Sequence, residues 1–170
     1  NSNSFNVYLL TASGINVTPI ISNVGTIQNN VSGVFDETAG YLKSSPNGKK
    51  LAMAVSNYMN FVELFDFDNL TGMVSNPIKI SYITSNLGVY GVAFSPDNTK
   101  LYTTELSDGL FQYDLTSNNA AIILASQTNI FPGSTSSYIC AIQLASDNKI
   151  YVSFSASLAL GVINNPNNLG

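Results

Sequence analysis

The sequence contains no histidine, no tryptophan and no arginine, and all six of its cationic side chains are lysines. Nucleic-acid binding needs clustered cations, above all arginine, so this composition excludes a nucleic-acid partner. Without histidine, neither a Ser-His-Asp triad nor a Cys-His pair can be completed within these residues. The single cysteine, Cys140, excludes an internal disulfide and a cysteine-based zinc site. Its apolar neighbours predict a buried, unreactive thiol.

Charge and long apolar runs are also scarce. Only 9% of the 170 residues are charged, the net charge is −4, and 45% of the residues are hydrophobic. A chain this apolar can build a core, while no apolar run approaches the roughly 20 residues that a membrane-spanning helix needs. The composition therefore predicts one folded domain with no membrane span. Abundant Asn, Ser and Thr with little charge favour a secreted or cell-surface protein, and we expect both chain ends to be cuts.

A turn pattern recurs three times, with Gly48, Asn98 and Asn148 at intervals of fifty residues. Pro46 and Pro96 suit the second position of a type I turn, because a proline ring fixes φ near −65°. Glycine, and after it asparagine, best tolerates the positive φ that the last turn residue requires. Each copy therefore predicts a β-hairpin whose turn closes on a left-handed residue.

Strand patterns accompany each turn. Alternating residues flank it, and a third strand follows at 62–67, 110–113 and 160–163. A fourth, more variable strand is predicted at 78–83 and at Ala120–Leu124. Four short antiparallel strands in about fifty residues are typical of a β-propeller blade. A β-sandwich with chance similarity between its turns is the alternative.

The predicted fold class is all-β, a propeller of four-stranded antiparallel blades of which about three to four are present. Residues 1–29 supply the last strands of one blade, 40–83 and 90–126 are complete blades, and 139–163 supply the first strands of another. A closed ring normally uses about four to eight blades. We therefore expect residues 1–170 to be one partial propeller, completed by further blades of a larger chain or by a second copy.

Two segments resemble the blade openings of YVTN/WD40-like propellers. They are 40–52 (GYLKSSPNGKKLA) and 90–102 (YGVAFSPDNTKLY). Together with 160–167 (LGVINNPN), they are similar to large secreted propeller proteins of Bacteroidetes that end in a sorting domain for export to the cell surface. The resemblance implies a secreted or surface propeller whose relatives mostly have no established biochemical role. Lactonase-type propellers are related, but no matching catalytic pattern can be placed here, so their activity is not carried over.

Propeller geometry indicates where a ligand would bind. The connections from second to third strand, and from fourth strand to next blade, share one face. Aromatic rings interleaved with amides, hydroxyls and carboxylates on that face could receive a sugar or an extended peptide. The predicted ligand-binding residues are Tyr58, Asn60, Tyr90, Glu105, Asp108 and Tyr138. Phe131 is expected in one of these connections, the loop 128–138. Packing between blades is the alternative role for Tyr90, Tyr138 and Phe131.

No catalytic residue, metal site or cofactor is predicted. Glu105 and Asp108 share a loop, but general acid–base hydrolysis needs two carboxyls about 5–10 Å apart, which spacing alone does not set. The run that begins at Asp66 superficially resembles a calcium loop. It fails because Leu70 stands where an oxygen ligand is required. Asp68 is better explained as a turn former.

We expect a non-enzymatic secreted or cell-surface module that presents its loops to a protein or polysaccharide partner. The alternative is a fragment of a lactonase-like or glycan-lyase-like propeller enzyme whose catalytic residues lie outside this chain. A third hypothesis is a spacer or assembly platform that binds no ligand. A channel lined only by small apolar side chains would favour the spacer.

Overall fold

A computed structural model describes residues 2–28, 39–56, 60–82, 88–134 and 137–170. Within these ranges the chain forms fifteen strands and one short helix. The strands are β1 (Ser2–Val7), β2 (Leu10–Thr11), β3 (Gly14–Ile15), β4 (Ile20–Gln28), β5 (Leu42–Ser44), β6 (Lys50–Val55), β7 (Phe61–Asp68), β8 (Met73–Tyr82), β9 (Val89–Phe94), β10 (Lys100–Glu105), β11 (Gly109–Asp114), β12 (Thr128–Pro132), β13 (Ile139–Leu144), β14 (Ile150–Phe154) and β15 (Gly161–Ile163). The helix α1 (Ala120–Ala125) connects β11 to β12, and nothing helical in the described ranges has the length and apolarity to cross a membrane.

The strands form four blades and one small hairpin. β1 and β4 pair as the first blade, β5–β8 form the second, β9–β12 the third and β13–β15 the fourth, while β2 and β3 form the hairpin. Neighbouring strands are antiparallel throughout, and within the second, third and fourth blades they follow in chain order. The predicted fold class, an all-β partial propeller, is confirmed.

The recurring turn has its left-handed residue in all three copies. The φ angles are 68° at Gly48, 68° at Asn98 and 61° at Asn148. The N–H of each of these residues donates to the carbonyl three residues earlier, at 2.9, 3.0 and 3.1 Å. In each copy the preceding Asn or Asp side chain accepts a hydrogen bond from the N–H two residues further on, at 3.0 to 3.2 Å. The turn chemistry predicted from the sequence is confirmed.

The turns also define equivalent positions in the blades. The first residue donates its N–H to the carbonyl of the last, at 2.9 Å, across Ser45–Lys50, Ser95–Lys100 and Ala145–Lys149. The lysines that end these turns are therefore equivalent, and the turn of the fourth blade is one residue shorter. Every position along the following strands can be matched by counting from these lysines.

The turns also connect neighbouring blades. Oδ1 of Asn98, in the third blade, accepts a hydrogen bond from the N–H of Asn47 in the second blade at 2.9 Å. The N–H of Asp97, in the third blade, donates to Oδ1 of Asn167 at 3.2 Å. Asn98 therefore supplies both the positive φ of its own turn and a bond to the adjacent blade.

Apolar cores fill the space between the blades. Strand β10 contributes to two of them, because its side chains alternate between its faces. Leu101 packs with the second blade, and Tyr102 packs with the fourth. The core between the second and third blades includes Ala52, Ala54, Val62, Leu64, Ile80, Val89, Val92 and Leu101. The first blade lies on the outer strands of the second, where the rings of Phe5 and Phe65 are 4.8 Å apart.

The C-terminal segment Asn164–Gly170 returns to the third blade. The hydroxyl of Tyr102 donates to the carbonyl of Pro166 at 2.8 Å. Nε2 of Gln112 donates to the Tyr102 hydroxyl and to the carbonyl of Asn168, at 2.7 Å each. The N–H of the last residue donates to Oε1 of Gln112 at 3.0 Å. This segment therefore binds to buried polar groups of the preceding blade.

One strand prediction is wrong. The sequence predicts the fourth strand of the third blade at Ala120–Leu124, but these residues begin α1, and the fourth strand is β12, which was expected to be a loop. The side chain of Asn119 caps the helix by accepting hydrogen bonds from two N–H groups of its first turn. Ile123 is 1% exposed, in the core between the second and third blades. A short apolar run fits either element, and the Asn cap favours the helix.

Substitution of Asn98 tests the turn. Asn98→Ala is expected to destabilise the protein by about 1–2 kcal/mol, because an alanine Cβ disfavours positive φ and the bond to Asn47 is lost. Asn98→Gly keeps the left-handed turn, as Gly48 does in the second blade, and should cost less. Urea unfolding measures both variants. Equal destabilisation by Ala and Gly would contradict the conformational part of this explanation.

Candidate functional site

Three connections meet at the ends of the blades opposite the recurring turns. The N–H of Leu106, between β10 and β11, donates to the carbonyl of Gly88 at 3.1 Å. The N–H of Ile139 donates to the carbonyl of Leu106 at 2.9 Å, and the N–H of Gly133 donates to that of Asp108 at 3.2 Å. Main-chain bonds therefore hold the entry to β9, the β10–β11 turn and the segment before β13 in one fixed surface. We call this surface the loop face.

Glu105, the last residue of β10, is buried at this face and only 4% exposed. Its side chain lies on the same side of β10 as Leu101, toward the second blade, because the pairing of β10 with β11 is regular from Lys100 to Glu105. Oε1 of Glu105 is enclosed and has no hydrogen-bond partner among the described residues. Burial raises the pKa of Glu105 to about 7, and the negative charge of Asp108 adds to the increase.

The other blades show that the fold does not require a carboxyl at this position. Thr103, two residues earlier on the same side of β10, is also fully buried, and its Oγ1 has no partner among the described residues. The equivalent residues in the second and fourth blades are Val55 and Phe154 for Glu105, and Met53 and Val152 for Thr103. Two successive positions that are apolar in both neighbouring blades therefore carry unsatisfied polar groups in the third.

Asp108 completes what we call the acidic turn, Glu105–Asp108. The N–H of Asp108 donates to the carbonyl of Glu105 at 2.9 Å. Its side chain is exposed, and Oδ1 accepts a hydrogen bond from the hydroxyl of Ser107 at 3.0 Å. The acidic turn therefore presents one carboxyl at the surface and a second one beneath it.

Tyr90 occupies a bulge at the start of the third blade. The pairing of β9 with β10 passes from Gly91 to Val89 at successive residues of β10, so Tyr90 is the extra residue. Its carbonyl accepts the N–H of Tyr41 at 3.1 Å, and the two rings are 5.4 Å apart. Tyr90 therefore packs between the second and third blades, while its side chain remains partly exposed.

The remaining predicted residues differ in their surroundings. Tyr138 is 37% exposed, and its main chain exchanges hydrogen bonds of 2.8 Å with the N–H and hydroxyl of Ser155. Asn60 precedes β7 with φ of 39°. Tyr58 lies outside the described residues. The structure thus brings together the acidic turn and Tyr138, whose neighbour Ile139 bonds to that turn.

Two other sequence expectations need correction. The sequence predicts a loop at Phe131, but this residue lies in β12, with its ring 5.6 Å from that of Phe154. The sequence predicts a buried Cys140, but this residue is only partly buried. Its Sγ lies 3.5 Å from the carbonyl of Tyr138.

The chemistry available at the loop face is that of hydrogen-bond acceptors and negative charge. Within the described ranges, no group of three or more His, Cys, Asp or Glu side chains is placed to hold a metal ion. The acidic turn provides two carboxyls, and Thr103 adds a hydroxyl. The sequence interpretation missed Thr103. The signal in the sequence is a polar residue at a position where the other two blades have apolar residues. Aligning the blades correctly requires knowing that the recurring turn of the fourth blade is one residue shorter.

A cavity of about 510 Å³ lies elsewhere, between the third and fourth blades. It is lined mostly by apolar side chains, including Phe131, Phe154 and Val162, and by the C-terminal segment. None of the predicted site residues that the structure describes lines it. This cavity therefore does not belong to the loop face.

No protein-family model matches the chain, and no curated protein matches it either. Several solved structures do match it. A protein provisionally described as a 6-phosphogluconolactonase from Bacteroides uniformis matches with a TM-score of 0.58 and 16% identity, over 95% of this chain and 44% of that chain. A Lactobacillus plantarum protein matches with a TM-score of 0.50 and 18% identity, over 95% of this chain and 50% of that chain. The extracellular domain of a provisionally assigned one-component system from B. thetaiotaomicron matches with a TM-score of 0.51 and 13% identity. This match covers 88% of this chain and 18% of that chain.

These similarities show the fold alone, because the sequence identities are low. The chain spans at most about half the length of these three structures, the largest share being 50%. The class defined by the fold and these similarities is therefore the β-propeller, represented here by part of a ring.

Replacing Glu105 tests its burial. In the folded protein Glu105 keeps its proton up to about pH 7, whereas in the unfolded chain it releases the proton near 4.5. Its stabilising contribution is therefore present below about pH 4.5 and is lost as the pH rises through 7. Glu105→Gln has no such loss, so it should match the wild type near pH 4 and be more stable near pH 8 by up to about 3 kcal/mol. Urea unfolding across this pH range measures the difference, and parallel curves for the two proteins would refute it.

Proposed function

We propose that this chain is part of a non-enzymatic secreted or cell-surface β-propeller module that binds an extracellular partner through its loop face. The observation that carries the proposal is the main-chain bonding that fixes three connections as one surface, with Tyr138 and Asp108 exposed on it. A rigid scaffold that presents aromatic and polar side chains loses little conformational entropy on binding.

The acidic turn supports the same role. Burying an unpartnered polar group costs about 1–3 kcal/mol, and Glu105 and Thr103 are two such groups. The equivalent positions tolerate apolar side chains, so the fold gains nothing from this cost. Residues that lower stability without a structural benefit are typical of binding and catalytic sites.

The location and the rest of the ring are also proposals. The low charge favours a secreted or surface protein, and one of the matching structures is an extracellular domain. Within the described residues β15 pairs only with β14, and β1 pairs only with β4. Further blades of a longer chain, or a second copy, would cover these strand edges.

A second candidate function is hydrolysis by a propeller enzyme of lactonase type. The observation that favours it is the carboxyl of Glu105, whose raised pKa of about 7 suits a general acid, with the exposed Asp108 in the same turn. The name of the Bacteroides uniformis structure points to the same chemistry. An assay of sugar-lactone hydrolysis with the wild type and Glu105→Gln separates the two candidates. Activity that disappears in the variant would support the enzyme.

Tyrosine substitutions test binding at the loop face. Tyr138→Ala should weaken binding to an extracellular polysaccharide or protein partner by about 2 kcal/mol if Tyr138 is a contact residue, because exposed tyrosines contribute strongly to interfaces. Tyr8→Ala is the matched control, since Tyr8 is 51% exposed between β1 and β2, away from the loop face. Glycan arrays and immobilised protein partners provide the measurement. If both variants kept the wild-type affinity for the partner, the binding site would have to lie on another surface.

A further inference from the structure

We propose that the acidic turn is a subsite for a cationic group of a protein partner, an ammonium or guanidinium carried by a basic segment. Glu105 is the buried acceptor, Thr103 supplies a hydroxyl beneath it, and Asp108 is the charged rim. The inference deepens the proposed function and rests on it, because it assigns the chemistry of the partner at the loop face.

The first support is the pair of unsatisfied groups inside the third blade. Oε1 of Glu105 and Oγ1 of Thr103 are both enclosed, and neither has a partner among the described residues. Both side chains lie on the side of β10 that faces the second blade. An ionised Glu105 can only accept hydrogen bonds, so the missing partner must be a donor. A donor that also carries positive charge compensates the buried carboxylate most fully.

The second support is the distribution of charge along the sequence. The described residues of the segments that connect β4 to β5, β6 to β7, β8 to β9, β10 to β11, β12 to β13 and β14 to β15 include Asp108 and no lysine. Lysines are concentrated at the other ends of the strands, in or beside the recurring turns, at positions 49, 50, 100 and 149. The described part of the loop connections therefore carries negative charge and no positive charge, and a basic partner is the complementary one.

Charge also decides between the two classes of partner. A neutral polysaccharide could donate hydroxyl hydrogen bonds, but it would gain nothing from the charge of the acidic turn. An acidic polysaccharide would be repelled by a chain whose net charge is −4. A basic protein segment gains from both the hydrogen bond and the charge.

The proposed interaction is linked to pH. Among the described residues, the titratable groups beside Glu105 are Asp108 in its own turn and the phenol of Tyr90, next to the residue of β9 that pairs with Glu105. The second blade packs Ala54, Val62 and Ile80 into the core on this side of β10. Burial and Asp108 raise the pKa of Glu105 to about 7, so the isolated protein keeps it largely protonated below that pH. A bound cation favours the ionised form, and its affinity should therefore rise as the pH rises through 7.

The experiment uses the whole 170-residue chain and a synthetic lysine-rich peptide as the probe. Calorimetric titration at about pH 8 and about pH 5.5 is expected to show roughly tenfold weaker binding at the lower pH. Lysine stays charged at both values, so the change reports the protein carboxyls. A peptide with glutamate in place of lysine, and a neutral oligosaccharide, are the comparison ligands.

Two variants and one control make the test specific. Glu105→Gln and Glu105→Val are expected to weaken peptide binding roughly tenfold at about pH 8 and to abolish its pH dependence. Glu105→Val introduces the residue that stands at the equivalent Val55, so the fold should be kept. Asp97→Asn removes the same charge at the opposite ends of the strands, where Asn47 occupies the equivalent turn position, and should change the affinity less than about twofold.

The outcomes separate the inference from the proposed function. Peptide binding that is lost in the Glu105 variants and kept in Asp97→Asn supports the cationic subsite. If all three variants lost peptide affinity equally, the effect would arise from net charge alone, and the subsite would be overturned. Binding of the oligosaccharide alone would overturn the subsite and leave the binding module standing, whereas no binding of any ligand would remove both.

Discussion

The hydrogen bond from the N–H of Asn47 to the side chain of Asn98 connects two hairpin turns that each need a left-handed residue. Its geometry depends on the turn, because only a residue at positive φ closes these short hairpins. This turn also sets where β9 ends and β10 begins, and therefore which side chains face the second blade. The apolar core between these blades, and the position of the acidic turn at the far end of β10, both follow from this constraint.

The third blade differs from its neighbours in what it places on one side of β10. Aligned positions in the second and fourth blades are apolar, as the cores between blades require. The third blade instead has Thr103 and Glu105 there, without partners among the described residues. A repeat architecture allows such a change, because each blade contacts mainly its neighbours and one unit can diverge while the others keep the fold.

The structural features that could be predicted from the sequence are those whose physical cause lies in one residue or a short segment. Gly48, Asn98 and Asn148 predict their turns because positive φ is a property of one residue. The blades and the fold class could be derived from these turns. The helix α1 could not, since Ile122 and Ile123 favour a strand by composition and the cap at Asn119 is a single short signal. The sequence indicates Glu105 only through its place in a predicted loop connection. Its burial arises from packing between two sheets, which no local pattern in the sequence reports.

The bonds of the C-terminal segment to Tyr102 and Gln112 have a consequence for how the molecule comes apart. Repeat units are stabilised by their own contacts and by those with their immediate neighbours. Here the residues after β15 are hydrogen-bonded to the third blade, so the third and fourth blades share one set of bonds. Opening of the fourth blade exposes the buried hydroxyl of Tyr102, and hydrogen exchange in β10 and β14 should therefore rise and fall together, as in a single cooperative unit.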